Sequence, residues 1–159
     1  MDPDCKKTTT PVGSGEKEMT GRPEPDLRSG HLPCRLLVVD DAPSHRETLA
    51  YMLRTQGFLV TEAAGGQEGL QRLRETPVDL VLTDLQMPDL SGWDVARWVR
   101  YLRPGLPVVL ITGSTEVTDA PSDLRALVSA ILSKPFKIER LLEIVRGLIV
   151  SPRGAPNIG

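Results

Sequence analysis

The stretch VDLVLTDLQMPD, residues 78–89, decides how the rest of the chain is read. From Leu80 to Leu82 it is purely aliphatic, as expected of a strand covered on both faces. It stops abruptly at Asp84, and Met87-Pro88 then turns the chain. A buried strand that ends on a carboxylate delivers that group to a site, or else leaves it as a solvated strand end or helix cap. One aspartate does not choose between these readings; the ends of the other strands do.

Working outward, four further aliphatic runs appear: RLLVVD (35–40), FLVTEA (58–63), LPVVLITG (106–113) and SAILSKP (129–135). Helical patterns separate them. SHRETLAYMLRTQG carries the spacing of a capping box in Ser44 and Glu47 and a glycine stop at Gly57. GGQEGLQRLRE is a weaker helix and SGWDVARWVRYLR a stronger one, while KIERLLEIVRGLIV sets Ile138, Leu141, Leu142, Val145 and Leu148 on one face. In STEVTDAPSDLRALVS, Pro121 removes a hydrogen bond and clashes with the preceding turn, so a short or late-starting helix is expected there. Strand and helix alternating five times predict an α/β doubly wound parallel sheet with helices on both sides and a site at the carboxyl ends of the strands.

The ends of the chain read differently. Residues 1–33 are rich in Pro, Gly, Ser, Thr and mixed charge without periodic apolar positions, and predict a disordered tail or linker. Residues 151–159, SPRGAPNIG, predict a shorter flexible tail, which leaves 34–150 as the folded domain. With 159 residues there is room for one ordinary domain. A formal charge of -2 with no basic run argues against a general nucleic-acid or anionic-membrane binder. Cys5 and Cys34 lack metal-ligand spacing and suit a reducing, cytoplasmic compartment. No membrane span or signal peptide is evident, and His31, with no other ligand type beside it, is not a metal candidate.

The strand ends carry the chemistry. The first run ends in Asp40 and Asp41, the third in Asp84, the fourth in Thr112 and the fifth in Lys134. A parallel sheet brings all of these to one edge. Three clustered carboxylates repel one another and need cations: Lys134 supplies one, and a hard divalent ion with oxygen ligands, most naturally Mg2+, supplies the rest. A carboxylate in that setting can attack a phosphoryl group, and the Thr112 hydroxyl can hydrogen-bond a phosphoryl oxygen and draw the following loop inward.

LLVVDDAPSHRETL, VDLVLTDLQMPDLSGWDV, VVLITGS and ILSKPF together resemble the receiver domain of two-component response regulators, the CheY-like family, over residues 34–150. The resemblance implies a flavodoxin-like sheet of order 2-1-3-4-5. It implies that Asp84 accepts phosphate from a histidine kinase or histidine phosphotransfer protein. It further implies that Asp41 and Asp84 ligate Mg2+ directly, Asp40 mainly through water, and Gln86 through its backbone carbonyl. Thr112 and Lys134 would contact the phosphoryl group, Lys134-Pro135 would be a cis peptide, and Met87, Pro88 and Gly92 would shape the adjoining loop.

Two departures stand out. The family often has Tyr or Phe three residues before the lysine, where this chain has Ile131. Pro121 falls in the helix through which many receivers meet partners. On the third helix, if Val95 and Val99 face the sheet, then Asp94, Trp98 and Tyr101 share the outer side, as a partner anchor or as a partly buried rim. His45 is expected to be solvated or near the phosphodonor's docking surface.

The leading function is therefore a phosphorylatable signalling receiver, not an enzyme beyond its own phosphorylation and dephosphorylation. No output domain is expected after residue 150, and the output protein is unknown. Alternatives are the receiver segment of a hybrid histidine kinase, a Mg2+-dependent phosphatase with an Asp nucleophile, or an inert scaffold. The phosphatase would need a general acid two residues after the nucleophile, where Gln86 stands.

Overall fold

The computed structural model describes residues 33–113, 117 and 119–150; the two tails expected from the sequence lie outside the described residues except for Pro33. Five strands, β1 (Arg35–Val39), β2 (Leu59–Ala63), β3 (Leu80–Asp84), β4 (Val108–Thr112) and β5 (Ala130–Ser133), form one parallel sheet in the order 2-1-3-4-5. Between and after them run α1 (Pro43–Thr55), α2 (Gly66–Glu75), α3 (Gly92–Leu102), α4 (Ser122–Arg125) and α5 (Ile138–Val150). This is the doubly wound arrangement expected of alternating strands and helices.

The aliphatic runs become central strands because both of their faces are covered. On one face Leu36, Val38, Leu80, Leu82, Val109 and Ile111 pack against Leu49 and Leu53 of α1 and Leu141, Leu142 and Val145 of α5. On the other, Leu37, Val39, Val81 and Val108 meet Leu70 and Leu73 of α2 and Val95, Ala96 and Val99 of α3. Each strand thus sends alternate side chains to opposite layers. A smaller cluster of Leu85, Leu110 and Val117, with Trp93, Val128 and Ile131 against it, closes the layer beside β4 and β5.

α1 departs from its expected start. Ser44 is not the cap: the helix begins at Pro43 with Ala42 at the N-cap, and no side chain caps it. Proline's fixed φ suits the first helical position. The Ala42 amide is already taken by Asp40 Oδ1 at 2.9 Å, and the first turn closes with Arg46 N donating to Ala42 O at 2.9 Å. Helix entry is thereby set before Ser44 is reached. The expected glycine stop is present, with Gly57 at φ 95, a conformation that a side chain would disfavour.

A true capping box occurs instead on α3. Asp94 N donates to Ser91 Oγ and Ser91 N to Asp94 Oδ2, both at 3.1 Å. α4 is a single turn starting after Pro121, as that proline dictates. On α3, Val95 and Val99 are buried while Trp98 and Tyr101 are 43% and 76% exposed, stacked edge to face at 5.9 Å. No helix among the described residues is long and apolar enough to cross a membrane.

Candidate functional site

β1 and β3 are adjacent, with Val39 opposite Thr83, so the residues that follow emerge side by side at the carboxyl edge of the sheet. Asp40, Asp41 and Asp84 each offer a carboxylate oxygen, and the three atoms lie within 4.8 Å of one another. Lys134, just beyond β5, places Nζ 2.9 Å from Asp84 Oδ1. The other oxygen of Asp84 accepts the Gln86 amide at 3.1 Å, so its two oxygens have different partners. Thr112 lies one step past Ile111, the β4 residue opposite Asp84; it is buried, and its carbonyl accepts the Lys134 amide at 2.8 Å. The Lys134-Pro135 peptide is cis, as the resemblance implied.

The trio is electrostatically uneven. Burial pushes the Asp40 carboxyl above its ordinary range; the Ala42 amide opposes the rise, the Asp84 charge adds to it, and Lys134 and His45 oppose it. His45 itself is exposed. An acid whose charged form burial disfavours, set next to two more acids, makes a site whose charge a cation would relieve. With three carboxylates and no nitrogen or sulfur donor among them, the set matches a hard, oxygen-preferring ion.

Gly92 gives the site its rear wall. A Cβ built there would overlap Leu110 Cδ1 and lie 2.6 Å from the Asp84 carbonyl and 2.9 Å from Leu85 Cα. The start of α3 is therefore pressed directly onto the backbone that presents the acid. A cavity of about 450 Å³, lined by apolar side chains of the sheet, by polar and apolar ones of α1 and by Phe136, runs from Asp40, Asp84 and Lys134 down between α1 and the β5–α5 turn.

Two groups that sequence reasoning passed over also shape this edge. Arg46 Nη1 donates to the Asp40 carbonyl at 3.0 Å, while its Nε bonds Glu62 at 3.3 Å, tying the acid pair to β2. Asp89 reaches from the loop after β3 to α2. Neither was visible in spacing, since both partners lie on other elements.

The family model for the response regulator receiver domain matches residues 36–146. The chain belongs to this family. The receiver is 36% identical over 122 residues to the probable transcriptional regulatory protein TcrX of Mycobacterium tuberculosis, covering 77% of this chain and 52% of that protein. It is 39% identical over 112 residues to the DNA-binding response regulator MtrA of Mycolicibacterium smegmatis, covering 70% and 49%. The chain thus spans about half the length of these curated relatives. Among solved structures, the response regulator TrrA of Thermotoga maritima in complex with Mg2+-BeF superposes with a TM-score of 0.67 at 31% identity, over 72% of this chain and 98% of that one. A receiver protein from Pseudomonas putida gives 0.68 at 32% identity, over 74% and 98%.

Proposed function

We propose that this receiver accepts a phosphoryl group on Asp84 from a phosphohistidine of a histidine kinase or histidine phosphotransfer protein, and signals by altered contact with an output protein. The observation that carries the reading is the meeting of Asp84 with Asp40, Asp41 and Lys134 at one sheet edge. An oxygen of Asp84 attacks phosphorus, a P–O bond forms, and the P–N bond to the donor imidazole breaks with its electron pair going to nitrogen. Lys134 draws charge from the phosphoryl oxygens, and Thr112 hydrogen-bonds one of them once it is in place.

The oxygen donors fit Mg2+, which would be held by Asp40, Asp41, Asp84 and the Gln86 main-chain carbonyl. When bound, it neutralises phosphoryl charge as a Lewis acid. The Mg2+-BeF complex of TrrA, a structural relative, supports that choice. Gln86 offers no general acid two residues after Asp84, which favours a stoichiometric phosphoprotein over a phosphatase. The formal charge of -2 favours a protein partner over nucleic acid. We take residues 34–150 as the receiver, consistent with the matched span of 36–146, and the cytoplasm as its place of action, in keeping with the free Cys34 thiol.

The test is intact-protein mass after treatment with acetyl phosphate. One added phosphoryl group in the wild type, absent in Asp84→Asn and absent without Mg2+, supports the reading. Turnover of a small phosphate ester with no adduct would favour the phosphatase, and if there is neither adduct nor turnover, a beryllofluoride titration without response identifies an inert pocket.

A further inference from the structure

The loop between Asp84 and α3 is held at both of its ends by main-chain bonds, Leu85 N to Ile111 O at 2.9 Å and Gly92 N to Leu85 O at 2.8 Å. Its outer half is held differently. Asp89 Oδ1 accepts the Gly66 amide at 3.1 Å and its Oδ2 accepts the Gln67 amide at 2.8 Å, while the Leu90 amide closes onto Oδ1 at 2.8 Å. Gly66 and Gln67 are the first two residues of α2, whose amides have no partner within the helix. The cap of α2 therefore comes from another element, 22 residues away. Among the described residues, the hydrogen bonds that join 87–90 to another element are the two accepted by Asp89.

The seat is shaped for this contact. A Cβ on Gly65 would stand 3.0 Å from Asp89 Oδ2, and one on Gly66 would stand 2.7 Å from Leu90 Cβ. Gly65 has φ -178 and ψ 174, an extended conformation open to any residue, so its lack of a side chain answers to the approach of Asp89 and not to backbone strain. The glycines that make α2 a weak helix in sequence are the surface on which the loop rests. A carboxylate suits it because both oxygens are used; an amide would bring its own N–H against one of the helix donors.

We propose that Asp89 is a positioning residue for the phosphoacceptor site. By clasping the loop to α2 it fixes the main chain at Gln86, and with it the carbonyl assigned above to Mg2+ and the amide on Asp84. This rests on the proposed reading of Asp84 and the acid trio. Supporting residues of this kind commonly alter metal affinity by about 10–100-fold when removed. Because Leu90 still packs beside Val95 and Gly66, Asp89→Ala keeps the apolar half of the seat and is expected to fold.

The experiment compares wild type, Asp89→Ala, Asp89→Asn and Gly65→Ala by calorimetric Mg2+ titration. It adds hydrogen exchange at the Gly66 and Gln67 amides with and without Mg2+, at a temperature where melting curves show all four folded. Mg2+ affinity is expected to fall about tenfold in Asp89→Ala and Gly65→Ala and less in Asp89→Asn, which keeps one acceptor. A double variant that combines Asp89→Ala with Gly65→Ala, added to the set, should be no worse than either of those two alone, because both remove the same contact. By reciprocity, Mg2+ should slow exchange at Gly66 and Gln67 in the wild type and not in Asp89→Ala, a coupling that a cap serving stability alone would not show. Wild-type Mg2+ affinity retained in Asp89→Ala and Gly65→Ala, or exchange at those amides indifferent to Mg2+ in a wild type that binds it, overturns the clasp and leaves the phosphoacceptor reading intact. A wild type that neither binds Mg2+ nor takes up phosphate overturns both.

Discussion

Lys134 and Asp84 join the two strand ends that matter most, with Nζ 2.9 Å from Oδ1 across β4. The pair is largely shielded, the aspartate side chain being 11% exposed and the lysine 31%. The ammonium is thus placed to offset the acid cluster, and under the proposed chemistry it would also meet an incoming phosphoryl oxygen. Lys134→Met keeps the length of the side chain and removes its charge. Phosphorylation by acetyl phosphate should slow by about 100-fold, the usual effect of deleting one preorganised donor, as read from single-turnover mass spectrometry.

Asp40 should trade stability for function. Its folded-state pKa is raised, chiefly by burial, so the folded protein holds this proton more tightly than the unfolded chain does. That contribution is present in acid and is lost as pH rises through the folded value. At neutral pH without Mg2+, Asp40→Asn, which keeps the acceptor for the Ala42 amide, should melt a few degrees above wild type, and the gap should close as acid protonates Asp40. Adding Mg2+ should raise the melting temperature of the wild type more than that of the variant, which keeps Asp41 and Asp84 but lacks the third charge.

Asp89 runs in the opposite sense. Although partial burial works against it, the amides of Gln67, Gly66 and Leu90 hold its carboxyl below the ordinary aspartate range. Its contribution is therefore full above that range and is lost as pH falls through the lower folded value. Asp89→Ala should cost about 1 kcal/mol at neutral pH, typical of a lost helix cap, with the penalty vanishing in acid, as urea melts across pH would show.

Gly92→Ala should damage fold and site together. The added carbon meets the main chain of Asp84 and Leu85, which has no room to withdraw because both belong to the sheet edge or its immediate continuation. Overpacking of this kind costs about 1–3 kcal/mol, and a variant that survives should show slowed phosphate uptake from a displaced Asp84.

Trp93 should report the state of the site. With Ile131, which stands where many receivers carry an aromatic on β5, it is one of the partly buried side chains packed against the small cluster that holds Val117, beyond Thr112. The bulk in this layer is thus supplied by α3. In Trp98→Phe, which leaves Trp93 as the sole tryptophan, beryllofluoride with Mg2+ should shift the emission; an unchanged spectrum would show that Val117 does not repack.

Much of this was legible in residue order. Aliphatic strands ending on Asp40, Asp84, Thr112 and Lys134 carry their own meaning once strands are known to run parallel, and Pro121 announces a shortened α4. The strand order was implied by resemblance to the family and not by periodicity. What stayed hidden was set by contacts between elements. The Ser44 spacing looked like a cap until Asp40 took the Ala42 amide and Pro43 opened the helix. The S-x-x-D box of α3 went unread, and the glycines of α2 gave no hint that a loop from beyond β3 rests on them.

Because every strand points the same way and α5 returns along the sheet, both ends of the described domain leave from the edge opposite the acids. α5 has 13 residues and so runs for about 20 Å away from the acid cluster. Anything joined before Pro33 or after Val150 starts from that far side. The mouth of the site is left clear of both chain ends, and any change at Asp84 that is to reach an attached segment has the body of the domain to cross.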